Sequence, residues 1–324
     1  MIRTLVTQNW GLRYPIVGAP MANVARGRLA RAVTEAGGLG MIGVGNKDTA
    51  EFIERESRIA RGDGAPLKFG IGLLGWCLEE RSDLFDAAVA QKPFLLCISF
   101  CSVRPYADRV HQAGSLLVTQ VQSRKAAVEA AEAGADIIVA QGTDSGGHSG
   151  FVGTLPLLQI VLDAVRKPVF AAGGIASPAG VAAALAAGAE AAWVGTALLL
   201  SDESDVTEAA RERIASAAET DTVLTELFDR VNRLGWPSQH PGRALKNQFT
   251  QQWHGREQEL LASPDEIARF RQAAQRKDYD ITSIYAGQAV GLLSERSTAG
   301  DVVQRLGEGA EAVLRARMRE LLGE

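Results

Sequence analysis

The chain has 324 residues, 46% of them hydrophobic and 22% charged, with a net charge of −4. That composition belongs to a folded globular protein and excludes a disordered chain; the length suits one large barrel with additions or two smaller domains. Acidic and basic residues are interspersed, which leaves no basic stripe for nucleic acid and no polybasic patch for a membrane surface. No apolar run approaches the roughly 18–20 residues of a membrane span. The first ten residues carry polar and charged side chains and no apolar leader stretch, so a cytoplasmic location is expected.

Short apolar runs alternate with amphipathic, alanine-rich stretches up to about residue 200. The runs predict strands over 15–18, 38–44, 67–74, 94–100, 116–121, 136–141, 169–172 and 191–194. Helical patterns fall between them, at 24–36, 48–61, 79–90, 104–113, 123–133, 154–166 and 177–187. Glycine groups at 36–38, 133–135 and 186–189 mark helix stops that lead straight into the next strand. Eight units repeating at about 20–28 residues predict an α/β fold, a (β/α)8 TIM barrel over 1–201. The rhythm then breaks. Residues 202–280 are polar and helical in pattern, with no further strand expected, and predict a mostly helical cap or a second helical layer without a role in the site. Residues 281–324 predict a closing loop and a C-terminal helix that packs back on the barrel.

Three cysteines, Cys77, Cys97 and Cys101, are too few for a disulfide framework. Cys97 and Cys101 lie four apart in an apolar run, which predicts one strand face and buried, small apolar roles. No histidine or second cysteine pair stands at ligand spacing, so no metal site is expected.

The chemistry concentrates at the strand ends, where barrels keep their active sites. Gly173-Gly174 and Gly195-Thr196 end the seventh and eighth barrel strands, a place where backbone N–H groups converge on a phosphate. Glycine there lets the backbone approach the anion closely. His148 follows the sixth strand among Gly146, Gly147 and Gly150, which offer it no apolar packing. An imidazole at that face can take a proton from carbon or steady a developing anion. His111, His240 and His254 have no such setting. Gly18-Ala19-Pro20-Met21 ends the first strand as a small-residue turn against which a flat ring can lie, and Gln120 ends the fifth as a neutral hydrogen-bonding group.

Gly-Ala-Pro-Met at 18–21, Gln-Gly-Thr-Asp-Ser-Gly-Gly-His-Ser-Gly at 141–150, Ala-Ala-Gly-Gly-Ile at 171–175, Val-Gly-Thr at 194–196 and Ala-Gly-Gln-Ala-Val-Gly-Leu at 286–292 together resemble the nitronate monooxygenases, formerly called 2-nitropropane dioxygenases. The resemblance covers nearly the whole chain, and its most specific element is the glycine-glycine-histidine block. It implies an FMN-dependent barrel with the phosphate on Gly173, Gly174, Gly195 and Thr196. It puts Met21 and Gly147 near the isoalloxazine with Gln120 at its edge, Gly287 and Gln288 in the closing loop near the cofactor, and Ala19, Pro20 and Gly146 among the cofactor-binding residues. His148 matches the family's catalytic histidine. Gly72 departs from the pattern, since relatives often carry an asparagine against the flavin there. The implied activity is oxidation of alkyl nitronates, or nitroalkanes, by O2 to carbonyl compounds and nitrite. Flavin-dependent enoyl-acyl carrier protein reductases and NAD(P)H:quinone reductases share most of these motifs, and a non-enzymatic flavin-binding protein would share the cofactor site; fold alone does not choose.

Overall fold

A computed structural model of the chain describes residues 2–64 and 66–323. Its strands in chain order are β1 (Ile16–Gly18), β2 (Met41–Gly43), β3 (Gly70–Leu74), β4 (Leu95–Ser99), β5 (Leu116–Val121), β6 (Ile137–Gln141), the two-residue β7 (Gly147–His148), β8 (Val169–Ala172), β9 (Ala191–Val194), β10 (Thr222–Thr225) and β11 (Gly242–Leu245). Eight of them form one parallel sheet in the order β1-β9-β8-β6-β5-β4-β3-β2. A parallel bridge between Val17 and Leu39 brings the two edges together and closes the ring. The eight predicted barrel strands and seven predicted helices are all present, within three residues at each end. Local chemistry sets the ends. Ser123 and Ser177 cap their helices by accepting from the Ala126 and Gly180 N–H groups, and Pro178 opens the second of these helices. Gly37, Gly134 and Gly188 stop helices with φ of 99°, 100° and 109°, values that side chains with a Cβ resist.

Two apolar layers result. Inside the barrel lie Val17, Leu39, Met41, Leu95, Val118, Val139, Phe170 and Trp193, all buried. A short helix, Leu5–Asn9, and Trp10 plug one end; the Leu5 N–H donates to Glu190, just before β9, so the plug sits at the strands' N-terminal ends. Between sheet and helices lies a larger layer of aliphatic side chains. The C-terminal helix, Ala299–Leu322, joins that layer through Val302, Val303, Leu306 and Ala310.

The region after β9 differs from its expected strandless form. β10 and β11 pair antiparallel, and β11 also pairs with β7, setting Gly242 opposite His148 and Arg243 opposite Gly147. The helices around this small sheet enclose an apolar core of their own, with Phe228, Phe249, Trp253 and Phe270. The extension is still mostly helical, but its sheet pairs with the catalytic candidate itself and with the glycine before it. Among the described residues no helix is long and apolar enough to cross a membrane.

One cysteine expectation needs correction. Cys97 is buried inside β4, where burial pushes its thiol up to about 12. Cys101 is not on that strand face. β4 ends at Ser99, Phe100 takes φ of 68° and turns the chain, and Cys101 becomes an exposed residue whose sulfur lies over Gly75.

Candidate active site

At the C-terminal ends of the strands opens a cavity of about 460 Å³, within the range of cofactor sites. Ala19, Pro20, Met21, Gln120, Gly146, Gly147, His148, Gly173, Gly174, Gly195 and Thr196 all line it. Residues 19–22 lie across the mouth of the barrel, and the strands beneath make room. A Cβ on Gly72 would overlap the Pro20 ring, and one on Gly43 would overlap the Met21 and Ala22 backbone. The departure at Gly72 therefore has a steric cause in this chain: Pro20 occupies the space a larger side chain would need.

β8 and β9 are neighbours, which sets Gly173-Gly174 beside Gly195-Thr196. Gly174 has φ of 68° and Gly173 of 109°, conformations that turn the chain sharply off the strand. Among the described residues the N–H groups of Gly174, Gly195 and Thr196 donate no hydrogen bond, so they are available to an anion. The cavity wall also carries Ser145 Oγ, Trp76 Nε1 and Trp193 Nε1, buried polar atoms without a protein partner. Buried polar groups are normally satisfied, and a polar ligand in the cavity would satisfy these. The residues present thus fit a phosphate-bearing, flat cofactor.

Gly287 and Gln288 stand behind that wall. The Gly287 N–H donates to Thr196 Oγ1 at 2.9 Å and the Gln288 N–H to the Asp144 carbonyl at 2.9 Å. Gln288 lines an adjoining groove of about 630 Å³ that shares Gly173 and Gly174 with the main cavity. The closing loop braces the strand ends from outside.

His148 has partners no local pattern disclosed. Its Nε2 lies 3.0 and 2.9 Å from the two carboxylate oxygens of Asp229, and the two side chains are only 9% and 6% exposed. The Trp236 indole stacks on the imidazole, centroids 3.4 Å apart and planes within 3°. Tyr285 stands 5.6 Å from the same ring, and burial, reinforced by the Asp229 charge, pushes its phenol up, so it stays a neutral hydroxyl. Phe100 and Trp76 pack on Trp236 and complete an aromatic wall. His240 is drawn in as well: its half-buried ring lies 5.2 Å from Phe100, and this partial burial, with nearby His148 adding to it, holds its imidazole below the usual range. His111 and His254 stand apart, paired with Asp136 and Thr225. Trp236 sits in Gly-Trp-Pro-Ser-Gln-His-Pro-Gly-Arg at 235–243, whose glycines and prolines mark a break in the helical pattern; Asp229, in an ordinary helical pattern, carries no signal.

The profile of the nitronate monooxygenase family matches residues 89–309, and a nitronate monooxygenase of Paraburkholderia phytofirmans is 33% identical over 74% of this chain and 75% of its own. The chain belongs to the nitronate monooxygenase family. As a member it is a flavin-dependent oxidoreductase, which sets aside the non-enzymatic reading. FabK from Thermotoga maritima superposes with a TM-score of 0.84 at 29% identity, covering 98% of this chain and 99% of that one. The nitroalkane oxidase of Streptomyces ansochromogenes gives 0.78 at 29% identity, over 95% and 98%.

Proposed function

We propose that the protein is an FMN-dependent enzyme that oxidises alkyl nitronates, and nitroalkanes after proton removal, to carbonyl compounds and nitrite with O2. The observation that carries this reading is the largely buried His148 side chain in the wall of the same cavity that Gly174, Gly195 and Thr196 line with free N–H donors. FMN rather than a dinucleotide is favoured because there is one phosphate cradle and no Gly-x-Gly-x-x-Gly fingerprint after the first strand. When bound, the flavin supplies the electron transfer between substrate and O2.

The chain's own residues supply the rest. Gly174, Gly195 and Thr196 would hold the phosphate through their N–H groups, with the 19–21 turn and Gly146-Gly147 against the ring and Gln120 at its edge. A neutral nitroalkane gives its α-proton to the His148 imidazole, and a nitronate already ionised is oriented by the same ring. Trp76, Phe100, Trp236 and Tyr285 keep bulk water from the carbanion, which slows its return to nitroalkane. The reading also takes the site of action to be the cytoplasm, with a small nitro compound and O2 as the partners.

The fold shared with FabK favours a second reading, an enoyl-acyl carrier protein or quinone reductase drawing on a nicotinamide donor. His148→Asn tests the choice, since it keeps size and some hydrogen bonding but removes the base. Turnover of a neutral nitroalkane is expected to fall about 10²–10⁴-fold, the usual range for a lost general base. Turnover of the pre-ionised nitronate is expected to fall much less, with FMN content near normal. Equal losses on both substrates would replace proton abstraction with anion positioning, and no loss on either would remove His148 from the chemistry.

A further inference from the structure

We infer that Asp229, carried by the extension beyond the barrel, is the positioning residue of His148, fixing its ring with the proton on Nε2 and leaving Nδ1 to accept the substrate's proton. This rests on the reading of His148 as the base. An ionised carboxylate only accepts hydrogen bonds, so with both oxygens within 3.0 Å of Nε2, that nitrogen is the donor. A neutral imidazole with its proton on Nε2 has its lone pair on Nδ1. Among the described residues Nδ1 makes no hydrogen bond, and it is not among the fully buried unpartnered atoms, so it keeps some exposure in a ring that lines the cavity.

Nothing competes for the carboxylate. Among the described residues Asp229 forms no ion pair other than that with His148. The buried cation of β11, Arg243, is committed elsewhere: its guanidinium donates to the Thr143 carbonyl and to Thr222 Oγ1. The ring is held in two independent directions. Asp229 fixes rotation within the imidazole plane, and Trp236, stacked at 3.4 Å, fixes the plane itself. Asp229 lies on the helix Leu227–Asn232, whose Leu227, Phe228 and Val231 are anchored in the extension's own core. β11 pairs with β7 and sets Gly242 opposite His148. A Cβ on Gly242 would come within 3.4 Å of Nε2 and 2.8 Å of the Tyr285 ring, so the small residue there keeps the pair and its neighbour in place. Barrel and extension together build the base; neither holds it alone.

The test uses the flavin-loaded full chain with 15N-labelled histidine, since ring 15N shifts report which nitrogen bears the proton. His148→Asn identifies the signals by their loss. At a pH where the ring is neutral, wild-type His148 is expected as the Nε2–H tautomer. In Asp229→Asn, nearly the same in size, the signals are expected to move toward a mixture of tautomers. Turnover of a neutral nitroalkane is expected to fall about 10²–10⁴-fold with KM changed only a few-fold, the pattern of a base in the wrong tautomer. A wild-type Nδ1–H tautomer overturns the proposal without recourse to any variant, and so does an Asp229→Asn spectrum identical to wild type. The tautomer is read without substrate, so a wild type inactive on nitro compounds would defeat the proposed activity and leave the tautomer result standing on its own.

Discussion

Gly195 has a negative φ, −113° with ψ −71°, so a side chain there meets no left-handed strain. What it meets is the turn after β1: a Cβ would come 3.4 Å from Ala19 Cβ and 3.4 Å from Met21 Sδ. Larger groups would drive Met21 from its place and crowd the N–H donors beside it. Gly195→Val is therefore expected to fold with little change in melting temperature and to bind FMN at least about 10-fold more weakly, a loss of roughly 1.4 kcal/mol. Fluorescence titration of the apoprotein measures it, and an unchanged affinity would put the phosphate elsewhere. Gly174 makes a less clean test, because its φ of 68° adds backbone strain to any effect on the ligand. At this scale the sequence disclosed residues with a local signature: the paired glycines, the glycine-flanked His148, the small turn at 18–21. It did not disclose Asp229, 81 residues from the histidine it holds, because no spacing rule joins a helix in the extension to a loop of the barrel. His240 carries no local signature for the same reason, since its contact with Phe100 forms only where the two parts meet.

Elements were legible wherever periodicity and punctuation agreed. The barrel strands are buried on both faces and appear as continuous apolar runs, and the helices between them carry serine caps and glycine stops. β7, β10 and β11 failed both criteria. Two are four residues long and include Thr222, Thr225 and Arg243, the third is two residues long, and they are held by pairing across distant segments. The C-terminal helix shows how an expected element is seated. Thr298 and Asp301 cap it reciprocally, and Gly307 and Gly309 let it approach Tyr14 and Pro178. A Cβ on Gly309 would stand 2.6 Å from Pro178 Cγ, and one on Gly307 would overlap the Tyr14 ring. Gly307→Val is thus expected to cost about 1–3 kcal/mol by overpacking, lowering the melting temperature by several degrees. Activity per bound flavin should hold, since the side chain that Gly307 packs against, Tyr14, does not line the cavity. A melting temperature equal to or above wild type would show that the helix has slack to move outward.

For the whole molecule, the division of labour follows from two cores meeting at one cavity. The barrel core fixes the strand ends and with them the N–H donors of Gly174, Gly195 and Thr196. The separate core around Phe228, Phe249 and Phe270 fixes Asp229. The β7–β11 pairing locks the two together at His148. Family membership makes the protein a flavin-dependent oxidoreductase, and what distinguishes a nitronate oxidase from a reductase is which substrate delivers electrons to the flavin. That is directly measurable. Purified, FMN-loaded protein is mixed anaerobically with a preformed alkyl nitronate, and in a parallel sample with NADH and then NADPH, while the flavin absorbance is followed. The expected result is bleaching by the nitronate within the turnover time, recovery of the yellow colour with release of nitrite when O2 is admitted, and no comparable change with either nicotinamide. Bleaching by NADH or NADPH while the nitronate leaves the spectrum untouched would contradict it and identify the protein as a reductase.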